Sequence, residues 1–92
     1  MKIEFNSLFE EMLVPILNYI MKDSVDASII FEEALFEHLD DLTYFPYKFR
    51  ESFYYEDKNI RVYVFKGYTI PYLIDKEHDM IVILDIFKWV ER

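Results

Sequence analysis

Ile60-Arg-Val-Tyr-Val-Phe65-Lys-Gly67-Tyr68-Thr-Ile-Pro71-Tyr-Leu-Ile74-Asp75-Lys-Glu-His78-Asp-Met80-Ile-Val-Ile-Leu-Asp85-Ile-Phe87 decides the fold. Three runs rich in β-branched and aromatic residues, 60–65, 68–74 and 80–87, are parted by turn-forming residues, so the stretch reads as a meander of three strands. Lys66-Gly67 makes the first turn, with the chain's only glycine where a positive φ costs least. Asp75 to Asp79 makes the second. In the first strand Ile60, Val62 and Val64 share one face and Arg61, Tyr63 and Phe65 the other. Pro71 has no N–H to give to a ladder and calls for a bulge or a locally unpaired position. The last run is apolar on both faces until Asp85, which predicts cover on both sides for most of its length.

Working outward, the residues before the meander supply that cover. Lys2-Ile-Glu-Phe5 alternates as a short edge strand does. Ser7 with Glu10 reads as a capping box, followed by Leu8, Phe9, Met12, Leu13, Ile16, Leu17 and Ile20 at helical spacing. Pro15 sits inside this helix and clashes with the Glu11 carbonyl, so either a single helix kinks there, the favoured reading, or a short first turn ends and a second helix begins with Pro15 at its first position. Asp23 or Ser24 caps a second helix. Its stripe is Phe31, Ala34, Leu35, His38, Leu39 and Leu42, with Glu32, Glu33, Glu37, Asp40 and Asp41 opposite as a solvated face. Two antiparallel helices with a joint apolar face need a sheet to bury it. The expected class is α+β, in the order β-α-α-β-β-β, an antiparallel sheet covered on one face by an α-helical hairpin.

Composition bounds the rest. Ninety-two residues, 1–92, make a single domain. No Cys is present, which removes a disulfide framework and Cys-based zinc, and fits the cytoplasm. No secretory signal pattern opens the chain, and the longest apolar stretch, 12–21, is about half the roughly 20 residues a membrane span needs. The formal charge of −8 is uneven. Residues 1–47 hold ten acids and two bases, while residues 48–92 hold eight of each. The second half is therefore neutral, and the total misdescribes any working surface there.

Between helix and meander, Tyr44 to Tyr55 holds seven aromatics in twelve positions. It is either a connector tucking its rings under the sheet or a binding ledge, since Tyr and Arg are enriched at interface cores. Tyr47, Arg50 and Tyr54, with Trp89 in the tail, are the candidate partner-binding residues. Ser52 to Glu56 is a candidate further strand. Metal and nucleophile chemistry is thin. His38 falls on the helix stripe and reads as a core or boundary residue. His78 reads as a solvated turn residue, and no zinc-type spacing or Gly-rich phosphate loop occurs. No metal and no cofactor is expected. Of the cations in the second half, Arg61 projects from a strand beside aromatics.

With Asn18-Tyr-Ile20, Ser24, Ala27, Leu39, Leu42, Phe45-Pro46, Arg50, Arg61, Phe65 to Asp75 and Ile81 to Phe87 in this order, the chain resembles the RelE/ParE superfamily of bacterial type II toxin–antitoxin toxins. The hallmark is Gly67-Tyr68 with Tyr72-Leu-Ile-Asp75, a turn, and a hydrophobic strand. The resemblance implies a cytoplasmic toxin associated with plasmid stabilisation. It would be held inactive by a cognate antitoxin segment and would meet no membrane. The superfamily divides into gyrase poisons of the ParE type and ribosome-dependent mRNA endonucleases. The endonuclease pattern expects cations where this chain has Thr69-Ile70-Pro71 and Asp85, and a Tyr or His near the end where it has Phe87, Lys88 and Trp89. If the chain is a ribonuclease, Arg61, Lys66 and Lys88 are the catalytic candidates, acting on mRNA at the ribosome. The favoured expectation is a non-enzymatic toxin acting by protein–protein contact, with DNA gyrase as candidate target. A non-toxic binding module of the same fold is the third reading.

Overall fold

A computed structural model of the chain describes residues 1–51 and 55–88. Strand β1 (Lys2–Phe5) leads into helices α1 (Ser7–Asp23) and α2 (Val25–Asp41), followed by β2 (Ile60–Phe65), β3 (Tyr68–Asp75), β4 (Met80–Ile83) and β5 (Phe87–Lys88). The spatial order is β1-β4-β3-β2, with β5 also pairing β3. The helical hairpin and sheet are the α+β architecture expected, with one correction: the sheet is mixed. β1 runs parallel to β4, in the register Lys2↔Met80 to Phe5↔Ile83, while β2–β3 and β3–β4 are antiparallel.

Helix boundaries follow from capping chemistry. Asn6, not Ser7, is the N-cap of α1, its side chain accepting from the Leu8 N–H at 3.0 Å. Ser7 is already helical, so the capping box read from the sequence is displaced by one residue. The helix runs unbroken through Pro15 to Asp23. Ser24 alone joins the two helices. Its N–H closes α1 on the Ile20 carbonyl at 3.1 Å, and its Oγ opens α2 by accepting from Ala27 N–H at 3.1 Å. Buried Ser28 then donates to the Leu17 carbonyl at 3.1 Å, tying the helices where they lie closest in sequence. A small side chain with one donor serves both packing and satisfaction there.

The hairpin buries Phe9 and Leu13 of α1 and Phe31, Leu35 and Leu39 of α2 against Ile70, Tyr72, Ile74, Ile81 and Ile83 of the sheet. Fully burying each such side chain contributes about 1.5–3 kcal/mol, and these residues spread the core over both helices and strands β3 and β4. Rings lock the two ends: Phe5 lies 5.4 Å from Phe9 and 5.3 Å from Phe36, and Phe31 lies 5.3 Å from Phe65. Phe65, on the Tyr63 face, is core, whereas Val64 on the other face is exposed.

The β2–β3 turn puts Lys66 at φ 48° and Gly67 at φ 86°. Two consecutive positive φ values are the type I′ signature that matches strand twist. Pro71 is accommodated as its chemistry requires. Val62 faces Pro71, but Val62 N–H points outward to the Arg50 carbonyl at 3.0 Å, and the Pro71 carbonyl accepts from Leu84 N–H at 2.9 Å. The N–H that proline lacks would therefore have faced the last strand, and that strand bulges there. Tyr72 pairs with Ile83 and Thr69 with Phe87, so Leu84, Asp85 and Ile86 stand opposite only Pro71 and Ile70. The final run is thus two strands, β4 and β5, rather than the single one its apolar pattern suggests. Asp85 holds the break, its Oδ1 accepting from Ile86 N–H at 2.7 Å. Cover on both faces is also less complete than the pattern implies: Val82 and Leu84 are only half-buried.

Candidate functional site

The loop that follows α2 is fastened to the sheet at three points. Leu42, Thr43 and Tyr44 N–H groups close the helix on the Leu39, Asp40 and Asp41 carbonyls, each at 3.1 Å. The chain then passes beneath β2 and β3. Tyr72, fully buried, donates its hydroxyl to the Pro46 carbonyl at 2.6 Å. Arg61, opposite Tyr72 in the ladder, donates from Nη1 to the Phe49 carbonyl at 3.0 Å. Arg50 completes the strap through its carbonyl, and Glu51 bridges to Arg61. Burial pushes the Tyr72 hydroxyl up to about 12, against the lowering influence of the Arg61 charge. A phenol held this way is a structural donor and not a proton shuttle.

Tyr47 lies among cations. The Arg61 guanidinium carbon and the Lys76 ammonium are each 5.3 Å from its ring centroid, within the range of cation–π attraction. Arg61 Nε is buried without a hydrogen-bond partner. Phe49 packs edge-on against Tyr63 at 4.9 Å, while Tyr44, Phe45 and Tyr47 remain exposed. Among the described residues of the connector, Phe49 tucks in, while Tyr44, Phe45 and Tyr47 stand out from the surface.

The three candidate catalytic cations do not converge. Arg61 lies near the start of β2 and Lys66 in the turn beyond its end, five residues or roughly 17 Å along an extended strand. Lys88 pairs with Tyr68 at the Lys66 end. Among the described residues, none of the three shares a hydrogen bond or ion pair with a group able to carry a proton. Thr69, where the endonuclease pattern expects positive charge, is buried with its hydroxyl unpaired. Of the candidate partner-binding residues, Tyr47 and Arg50 are exposed; Tyr54 and Trp89 lie outside the described residues.

Two concave surfaces flank this region. A groove of about 470 Å³ is lined by Met12, Pro15, Ile16 and Tyr19 of α1 and by Tyr68, Ile86, Phe87 and Lys88 at the sheet end. The α1 residues fall at i, i+3, i+4 and i+7, one helical stripe, and the bulge at 84–86 brings Ile86 and Phe87 to meet it. Sequence reasoning missed this groove because Met12 and Ile16 fall on the stripe read as core, while Pro15 and Tyr19 lie outside it. A second cleft of about 360 Å³ lies between the end of α2 (His38, Asp41, Leu42), the loop (Phe45, Lys48, Phe49) and Tyr63. His38 is exposed, yet its ring lies nearly parallel to Tyr63 at 6.4 Å, which makes it a boundary residue. Burial, and secondarily the Asp41 carboxylate, raises the Tyr63 hydroxyl above its ordinary value.

His78 caps the β3–β4 turn. Its Nδ1 lies 2.8 Å from Asp75 Oδ2 and its N–H donates to Oδ1 at 3.2 Å, which lowers the Asp75 carboxyl. Among the described residues no group of three metal-ligating side chains forms. No helix among them is long and apolar enough to cross a membrane.

A helical hairpin laid on one face of a small mixed sheet, with apolar and aromatic concavities at its edges, defines an α+β domain. The family comparison is specific. The chain belongs to the family described as the ParE toxin of the type II toxin–antitoxin system parDE, whose model matches residues 3–88. Comparison with curated proteins gives no match. Membership makes the chain the toxin of a type II module, with an antitoxin as partner.

Proposed function

We propose that the antitoxin neutralises this toxin by laying an apolar segment in the groove between α1 and β5. The released toxin then acts in the cytoplasm by protein–protein contact, with DNA gyrase as its target. The observation that carries the reading is Arg61. The strongest cationic candidate in the chain is engaged by the protein's own Phe49 carbonyl and Tyr47 ring, roughly 17 Å along β2 from Lys66. Cleavage of RNA without a metal needs cations and a proton carrier gathered at one phosphate. Contact needs only a shaped surface, and the exposed ledge of Tyr44, Phe45 and Tyr47 beside Arg50 offers one. Tyr54 and Trp89 complete the proposed set of partner-binding residues.

The test is expression of the chain without its antitoxin, followed by a supercoiling assay with purified gyrase. Growth arrest with intact mRNA and inhibited supercoiling is the expected result. Normal growth would overturn the reading in favour of a binding module that has lost toxicity. One observation favours the ribosome-dependent endonuclease as second reading: Lys66 and Lys88 lie at the same end of the sheet, since Tyr68 pairs with both Phe65 and Lys88. Cleaved ribosome-bound mRNA in the arrested cells would select it.

A further inference from the structure

The cleft at the end of α2 differs in chemistry from the apolar groove. Three features point to a cation. Phe45 is 66% exposed and lines the cleft with half-buried Phe49 and Tyr63, on which His38 already packs; aromatic rings attract positive charge. Asp41 lines the same cleft, and among the described residues its carboxylate has no cation within ion-pair distance. The cleft also lies at the C-terminal end of a 17-residue helix, the negative pole of its dipole. Lys48 rests its ammonium 5.6 Å from the centroid of the neighbouring Phe49 ring, so one ring of the cleft already has a cation against it.

We propose that this cleft is an arginine-binding site, taking the guanidinium side chain of a partner protein against Phe45 and Tyr63 with Asp41 as its counter-charge. Charge complementarity selects the occupant. The first half of the chain carries the entire net charge of −8, and α2 brings Asp41 to the cleft mouth. Shape selects guanidinium over ammonium. A planar, weakly hydrated cation stacks flat on a ring while its edge donates a pair of parallel bonds to a carboxylate, a geometry that a compact, strongly hydrated ammonium does not offer. Lys48, on a flexible exposed stem, gives way when the guanidinium enters. The inference rests on the reading of this protein as one that acts by protein contact, but the two fail separately: peptide binding reports on the cleft, and growth arrest reports on the toxin.

The full chain, labelled in its Phe and Tyr rings, is titrated with acetyl-Gly-Arg-Gly-amide and followed by NMR. The neutral citrulline peptide and the lysine peptide serve as comparisons. Saturable shifts of the Phe45 and Tyr63 rings with the arginine peptide are expected. At least tenfold weaker binding is expected for both comparison peptides, and for Asp41→Asn or Phe45→Ala. Both variants alter exposed side chains and leave the core untouched. Lys48→Ala should strengthen binding. Equal response to arginine and citrulline would reduce the cleft to apolar contact and overturn the proposal. Equal response to lysine, loss of binding in Lys48→Ala, or no ring shift would also overturn it.

Discussion

The Tyr72 hydroxyl reaches the Pro46 carbonyl at 2.6 Å, a bond that fixes the aromatic loop to the middle of the sheet from 26 residues away in sequence. It has a pH signature. Tyr72 is fully buried, and burial holds its hydroxyl up to about 12 rather than 10.0. Since the folded value lies above the unfolded one, the bond's contribution is complete below pH 10 and is lost as pH rises toward 12. That gap corresponds to roughly 2–3 kcal/mol. Tyr55 and Tyr63 are also raised, so the Tyr72 share is read as the difference between wild type and Tyr72→Phe. At pH 7 the variant should be about 1–2 kcal/mol less stable, because the Pro46 carbonyl is left unpaired. In denaturant melts above pH 11 the two proteins should converge. A constant difference across this range would contradict the assignment.

Arg61 and the two lysines should separate cleanly. Arg61→Lys loses the Nη1 bond to Phe49 and the planar contact with Tyr47, and should cost about 1–2 kcal/mol of stability. Lys66→Ala with Lys88→Ala removes two exposed charges and should leave stability within about 0.5 kcal/mol. Under the contact mechanism the double lysine variant stays toxic. Loss of toxicity with an unchanged melting temperature would return the lysines to a catalytic role. The lysine pair is the better probe, since an Arg61 variant confounds folding with function.

Gly67→Ala tests the type I′ turn. A Cβ there would meet nothing within 4 Å, and φ is +86°, so the penalty comes from the backbone alone. About 1–2 kcal/mol is expected from the left-handed conformation. Gly67→Asn should recover part of it, because Asn tolerates that region. Equal melts for all three proteins would mean that the turn relaxes to another type.

What was legible in the sequence was local. Periodicity located both helices and the meander, and Pro71 announced the irregularity that the bulge at 84–86 supplies. Three features were not local. The parallel pairing of β1 with β4 joins Lys2 to Met80, and no alternation within Lys2–Phe5 states which strand it will meet. The break between β4 and β5 hides inside a continuous apolar run, because Leu84 and Ile86 suit a strand whether or not the ladder is intact. The cap fell on Asn6 and not Ser7 because both residue types cap well and only backbone geometry chooses. The site divides in the same way. Arg61 was visible as a cation on a strand among aromatics. Its engagement by Phe49 and Tyr47 depends on a loop folding back under the sheet, and the α1 groove depends on how far the sheet reaches beneath the helix.

That groove supplies the sharpest test of neutralisation. Tyr19 is 67% exposed at its edge, and Met12 39% exposed on its wall. Neither belongs to the fully buried core, so Met12→Lys and Tyr19→Glu should shift stability by less than about 1 kcal/mol. A charge forced into an apolar interface must be desolvated without a partner. Disrupting a well-packed interface in this way costs about 2 kcal/mol or more, equivalent to at least tenfold in affinity. Each variant should therefore remain toxic when expressed alone and resist rescue when the antitoxin is co-expressed. Purified proteins give the same comparison by calorimetry, free of expression level. Full rescue of both variants at wild-type affinity would move the antitoxin off α1. The exposed ledge at Tyr44, Phe45 and Tyr47 would then be the surface where it binds, and toxin action and neutralisation would compete for one site rather than two.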